Sequence, residues 1–464
     1  MGERVGETTE LEDSELAEIC PFQGVRYNGR VVKDLGKTIC PPYDVITPEQ
    51  QKAYYERDVY NAIRLEYPAE QPGDDAESNR YTRAAICFRK WLEDEVLVVD
   101  PLSAFYLHDH YFTHMGEERR RRGLIARVRL RPWYQGIYPH EETYSKAKSD
   151  RLQLMRACRA SFSSILALYH DWREGLAEVL SKAEQKRPII ECHCERSEGI
   201  SLNEGHLIRA IAEPMLIRRI TELLADLPLY IADGHHRYET ALAYQEERAQ
   251  AIGSRSAEAE EVVAKRSITG NEAFNYVMVE LVDFSDPGIT ILPIHRLLRG
   301  LSASALAELR RKLEHVFVVQ SISVTEGLIS DLKGRMPDDA LLGILGLELG
   351  CLLVLRQRQD IPVEGMMPDD RSQAYKNFDV SILSDLILDG MLGFTGSHGD
   401  IAYSVDINEV WQAIREGEYQ LAFLVNEPQV GVIKAIADAE DRMPRKSTYF
   451  YPKLPAGLVI NSLD

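Results

Sequence analysis

Residues Leu229 to Thr240 read Leu-Tyr-Ile-Ala-Asp-Gly-His-His-Arg-Tyr-Glu-Thr, and few local sequences leave a chain so little conformational choice. A short apolar, strand-like run stops at Asp233-Gly234, and the apolar positions that follow recur at helical spacing. A strand passing directly into a helix needs a corner residue tolerant of positive φ, and Gly234 is that residue. The first N–H groups of such a helix have no partner within it and favour an anion above the turn. Asp233, His235, His236 and Arg237 add a candidate metal ligand, two proton carriers and a permanent positive charge at the same corner. That set suits phosphate handling. The competing reading is a structural turn whose polar residues cap the helix and face water.

At 464 residues the chain exceeds one ordinary domain, and two or three are expected. Its net charge of −19 argues against a surface that binds nucleic acid by phosphate attraction. Charge is uneven, however: from Arg119 to Arg159 there are twelve Lys or Arg against three acids. The Arg119–Arg122 run reads as a solvated basic face, whereas Lys146, Lys148 and Arg151 read as a focused field for a small anion. Seven cysteines scattered along the chain suggest no disulfide framework. The N-terminus lacks a signal pattern. The most apolar window, Leu341–Leu355, is short and contains Glu348, so it reads as buried strands. A cytoplasmic protein without a nucleic-acid or membrane partner is expected; oligomeric state is not legible.

Residues 1–19 look like a frayed acidic lead and 20–130 like an N-terminal α+β extension. Within the extension, Cys40-Pro41-Pro42-Tyr43-Asp44-Val45-Ile46 is a proline-stiffened turn. Helical spacing marks Arg80–Glu93, and Phe105–Tyr111 with Gly123–Leu130 alternate like paired strands. A core is expected over 131–250, with helices over Asp150–Tyr169 and Leu207–Leu224 and a third from the Gly234 turn to about Glu247. A polar linker at 251–267 precedes a second α+β region, 268–464. There, strands are expected near Asn275–Leu281 and Val316–Ser321, and helices near Ser302–Leu313 and Asp379–Leu388, with Asp379 as an N-cap.

Three segments carry chemistry. Pro139-His140-Glu141 presents a carboxylate beside an imidazole, which suits a general base once burial or a neighbour tunes it; a glutamate there also suits a helix cap. The second is the Asp233–Arg237 turn. The third, Met443 to Pro455, contains Lys446-Ser447-Thr448, one ammonium and two hydroxyls able to grip a phosphate or carboxylate. Cys192-His193-Cys194 with His206 fits no common zinc spacing and alternates like a strand. His295 reads as a satisfied core histidine. No Walker loop, dinucleotide fingerprint or kinase catalytic loop is present.

These segments, together with Cys40–Ile46, Arg64-Leu65-Glu66, Asp150-Arg151-Leu152, Leu292–Leu298, Asp379–Leu388 and Met443–Ile460, resemble the domain-of-unknown-function family 1015. That family is in turn similar, over its central part, to the ParB/sulfiredoxin-like superfamily and its kinases of free serine. Those kinases carry Pro-His-Glu, then Asp-Gly-His-His-Arg, then Pro-Lys-Thr-Thr. Here the third reads Pro444-Arg445-Lys446-Ser447-Thr448, with an inserted arginine and one serine, and the N-terminal extension has no counterpart.

The resemblance implies an α+β fold with a mixed-sheet ParB/sulfiredoxin-like core. It implies a kinase that makes O-phosphoserine from L-serine with Mg²⁺ and ATP, ADP or pyrophosphate as donor. Glu141 would be the base, with Asp233 and His140 beside it and Asp233 also the metal ligand. Gly234, His235, His236, Arg237, Lys148 and Arg151 would bind the donor, and Lys446, Ser447 and Thr448 the substrate. A ParB-like nucleotide-binding switch and a noncatalytic metabolite sensor are the competing classes.

Overall fold

The computed structural model describes residues 17–142, 145–172, 175–194, 204–225, 227–258, 270–325, 336–337, 339–394 and 400–464. The fold is α+β around a nine-stranded mixed sheet. In chain order its strands are β1 (Ile19–Cys20), β2 (Phe105–His114), β3 (Glu117–Arg129), β4 (Ile137–Tyr138), β5 (Ile165–Tyr169), β6 (Ile190–Cys194), β7 (Glu204–Ile211), β8 (Leu229–Asp233) and β9 (Tyr276–Asp283). In space they run β4-β8-β5-β9-β3-β2-β7-β6, with β1 on the far end of β3. The β8–β4 and β9–β5 pairs are parallel and the others antiparallel.

Both faces of the sheet are covered, and the period of two along each strand divides its residues between them. Ile165, Ala167, Tyr169, Leu229 and Ile231 pack with residues of the helices Gly175–Glu184 and Pro214–Leu224. Leu166, Leu168, Tyr230, Ala232 and Val282 pack with residues of the C-terminal region. That region holds a second, antiparallel sheet of six strands, ordered Phe317–Ser323, Cys351–Gln357, Leu342–Leu345, Leu421–Leu424, His295–Leu298, Ile401–Ser404.

Several sequence expectations need revision. The stretch 150–169 is not one helix: the helix Ser145–Cys158 ends, and β5 follows. Likewise β7 precedes the helix Pro214–Leu224, because Pro214 can open a helix but cannot sit inside one. The helix after Gly234 reaches Glu258, into the expected linker, whose residues 259–267 lie outside the described residues. Residues 1–16 of the acidic lead do too. The helix at Asp379 has Phe378 as N-cap, while the Asp379 carboxylate accepts the Val380 and Asn426 N–H groups. The Arg119–Arg122 run is a solvated face only in part, at Arg120 and Arg119. Arg121 is 1% exposed, and Arg122 pairs with Asp109 and Glu184. Among the described residues no helix is long and apolar enough to cross a membrane.

The C-terminal segment crosses the whole assembly. Tyr449–Tyr451 pairs with Thr290–Leu292, Ala456 with Cys40, Ile460 with Val25, and Asn461–Ser462 with Ala160–Ser161.

Candidate active site

Strand β8 does not end cleanly. Its register with β5 slips between Ile231 and Asp233, a bulge of the kind that re-aims the next side chain. Gly234 then turns the corner at φ +94°, and His235 opens the helix. A Cβ at Gly234 would stand 2.9 Å from Arg237 Nε. Gly234→Ala is therefore expected to cost roughly 1–2 kcal/mol from backbone strain alone, readable as a lower midpoint in urea unfolding.

The turn forms the floor of a cleft of about 250 Å³. Its walls come from five distant parts of the chain: Tyr43-Asp44-Val45, Glu141-Glu142, Ala232 to Arg237, Ile294, and the C-terminal loop with Lys446, Thr448, Tyr449 and Lys453. All three chemistry-bearing segments therefore meet. The loop is held against Pro-His-Glu by backbone pairing: Met443 N–H donates to His140 O at 2.8 Å. Lys446 adopts a left-handed conformation, φ +58°, which directs its N–H onto Glu141 Oε1 at 2.6 Å.

Burial pushes the Glu141 carboxyl up to about 7, against the opposing pull of the Lys446 N–H and the nearby Lys446 and Lys453 charges. A carboxyl in that range can exchange a proton near neutral pH. Asp233 goes the other way. Burial alone would raise it, but Lys453 and Arg237 outweigh that and hold it well below the usual carboxylate range. Lys453 Nζ bonds Asp233 Oδ1, and Arg237 Nη2 donates to Oδ2 at 2.7 Å. Burial disfavours the charge on Lys453, yet Asp233 and Asp44 keep it cationic.

Not every expected residue faces the cleft. His140 is fully buried, and burial lowers it to about 4. Its Nδ1 donates to Ile231 O at 2.6 Å, which leaves Nε2 to accept from Thr448 Oγ1 at 2.9 Å. With both nitrogens committed it braces the turn and loop rather than reaching a substrate. Its N–H donates to His235 Nε2 at 3.3 Å, and burial keeps His235 neutral. Ser447 is buried and donates to Pro444 O. Lys148 pairs with Glu239. Arg151 bonds Asp150 and Glu66 O, and its guanidinium lies 4.0 Å from the Tyr43 ring centre. The local anion field expected of Lys148 and Arg151 is thus spent on protein partners, and Arg151 acts by propping Tyr43. The Lys146 side chain lies outside the described residues.

Sequence reasoning left out two groups. Lys453 stands in the loop already singled out, but nothing local marks it as the partner of Asp233. Asp44 stands in the proline-stiffened turn, which rigidity and the family resemblance both marked without giving Asp44 a role. Its carboxylate is exposed at the cleft and makes no hydrogen bond or ion pair among the described residues.

A family model described as "Protein of unknown function (DUF1015)" matches residues 19–374. The chain belongs to that family. No curated protein matches it. Among solved structures it is similar to a free serine kinase in complex with AMP, at 10% identity and a TM-score of 0.32, covering 71% of this chain and 86% of the other. A conserved hypothetical protein from Pyrococcus furiosus is 11% identical, with TM-score 0.32, and the match covers 72% and 93% of the two chains. SbnI with a C-terminal truncation, from Staphylococcus aureus, is 8% identical with the same TM-score, covering 71% and 84%. Likenesses this distant carry no argument about activity. This member of the family thus has its motifs gathered in one cleft.

Proposed function

We propose that this protein is a small-molecule phosphotransferase that phosphorylates the hydroxyl of free L-serine, built on a ParB/sulfiredoxin-like core. The observation that carries the reading is Glu141: a half-buried carboxyl lifted to about 7, in one cleft with a helix N-terminus and the Lys446 and Lys453 ammonium groups. The order of the three motifs, which is that of the free serine kinases, supports it.

Phosphoryl transfer requires positive charge around the donor, an in-line hydroxyl and a group to take its proton. Glu141 takes the proton of the serine hydroxyl as that oxygen forms its bond to phosphorus. The bridging P–O bond of the donor breaks, and its electrons leave with the phosphate or nucleotide product. Lys446, whose ammonium makes no ion pair among the described residues, reaches phosphate or the serine carboxylate, and Thr448 Oγ1, its proton given to His140, is left to accept. The N–H groups above Gly234 and the His236 ring face donor oxygens. Arg237 and Lys453 orient Asp233 and add positive charge behind it.

Mg²⁺ fits the donors present, since it takes hard oxygen ligands together with substrate phosphates. When bound, it neutralises charge on the transferring phosphoryl group. Asp44 is the carboxylate with room to hold it; both oxygens of Asp233 already meet cations.

Phosphorus NMR of the purified protein with Mg²⁺ and L-serine, offering ATP, ADP and pyrophosphate in parallel, tests the reading. A phosphoserine resonance with one donor is expected. Donor hydrolysis without phosphoserine would demand another acceptor, and no consumption of any donor would replace the kinase with a sensor.

A further inference from the structure

Four strands of the large sheet set a row of ionisable side chains on one buried face, apart from the cleft lining. β2 supplies His108 and His110, two residues apart and so on one side. β7 supplies Glu204 and His206, with His206 opposite His110. β3 places Arg121 opposite His110 on the other flank, and β9 supplies Glu280. His108 and His110 are 0% exposed, and His206 and Glu280 1%. One donor atom from each of the three imidazoles lies within 4.8 Å of the others.

The protons along this row can be followed one by one. His108 Nδ1 is 3.0 Å from Glu280 Oε2. A carboxylate only accepts, so a proton sits on Nδ1, and in the neutral ring His108 Nε2 is a lone pair. That lone pair is 3.1 Å from His206 Nδ1, which must therefore donate. His206 Nε2 is then a second lone pair, fully buried and without a hydrogen-bond partner among the described residues. It faces Glu204 Oε2 at 3.8 Å, an acceptor facing an acceptor. A cation placed between these two buried acceptors would satisfy both.

We propose that His206, His110 and Glu204 bind a divalent transition-metal ion of the Zn²⁺ class. Glu204 Oε2 is 3.0 Å from His110 Nε2 and 3.8 Å from His206 Nε2. Two donors on one tetrahedral Zn²⁺, each about 2.0–2.1 Å away, stand roughly 3.4 Å apart, midway between those distances. The Glu280–His108 pair lies behind His206 Nδ1 and fixes its tautomer, as outer-shell carboxylate–histidine pairs do at metal sites. On binding, the His110 proton moves from Nε2 to Nδ1, and Arg121 Nη2, which otherwise donates to Nδ1 at 3.3 Å, gives up that contact while keeping its bond to Pro452 O at 2.9 Å. The carboxylates of Glu204 and Glu280 outnumber the Arg121 charge, so a divalent ion is electrostatically admissible. Sequence spacing set His206 only beside Cys192-His193-Cys194 and missed these partners, which begin on a strand 98 residues upstream at His108. The site does not depend on the kinase reading.

The test is metal content of the full-length protein, followed by Zn²⁺ titration of chelated protein in competition with a chromophoric chelator. One tightly held equivalent per chain is expected, retained in Asp233→Asn and lost in His206→Gln. No Zn²⁺ held against the chelator, or unchanged binding in His206→Gln, would overturn the proposal. If His206→Gln does not fold, Co²⁺ loaded into the wild-type protein reads the ligands directly. Visible d–d bands without thiolate charge transfer are expected; a thiolate band, implicating Cys192 opposite His206, would overturn the ligand set.

Discussion

Replacing Glu141 with glutamine is expected to lower turnover by about 10²–10⁴-fold, the usual contribution of a positioned general base, while the chain still folds. Glutamine keeps the size of the side chain and an Oε1 to accept the Lys446 N–H, now at 2.6 Å. It cannot take a proton. In the wild-type protein the rate should climb as pH rises through about 7, where the Glu141 carboxyl ionises; the variant should lack that limb. Stability should change in a linked way. The folded carboxyl titrates near 7 against an ordinary value of 4.5, so between those pH values the folded state binds more proton than the unfolded one. Wild-type stability therefore falls across that window as pH rises. The glutamine variant escapes the loss, and its Tm relative to wild type should increase from pH 4.5 to pH 7. Near-normal turnover in Glu141→Gln would remove the residue from the base role.

Lys453→Met should be costly for a different reason. Asp233 is largely shielded between two cations, Lys453 on Oδ1 and Arg237 on Oδ2. Removing one partner of a buried ion pair leaves charge without compensation, at about 3–5 kcal/mol. Because Asp233 is held below its ordinary value of 3.8, its contribution is complete above that pH and fades as pH falls toward the folded-state value. In Lys453→Met the carboxyl rises, so acid unfolding should begin at higher pH. The double variant Asp233→Asn/Lys453→Met should lose less than the two single losses added, a coupling visible by urea unfolding at neutral pH. Additive losses would mean that the pair is not the unit of stability.

The strand–glycine–helix corner was legible because Gly234 and the change of hydrophobic period leave little else for residues 229–240 to do. The hairpin was legible only in part, as Phe105–Tyr111 paired with Gly123–Leu130; its arms extend to His114 and back to Glu117, through the Arg119–Arg122 run read as a solvated face. Strand β5 was misread because Ile165–Tyr169 is buried on both faces, and a continuously apolar run has no period to separate strand from helix. The site was legible as three segments, since each is polar where a fold would prefer apolar residues. The partnership of Asp233 with Lys453, 220 residues apart, left no trace in either neighbourhood. His140 and Ser447 have side chains as reactive as those of their neighbours, and only the fold shows that theirs are spent on internal hydrogen bonds.

The strap formed by residues 443–463 has a consequence for how the protein comes into being. Tyr43 and Asp44 wait on one wall, yet the opposite wall arrives only with Lys446 and Lys453. A nascent chain can complete most of the large sheet, through Asp283, while its cleft still lacks that wall. Contacts of such long range form late, because loop closure must precede them. A ribosome-bound chain halted before residue 443 should therefore hold no substrate, so that synthesis itself withholds activity until the strap has closed.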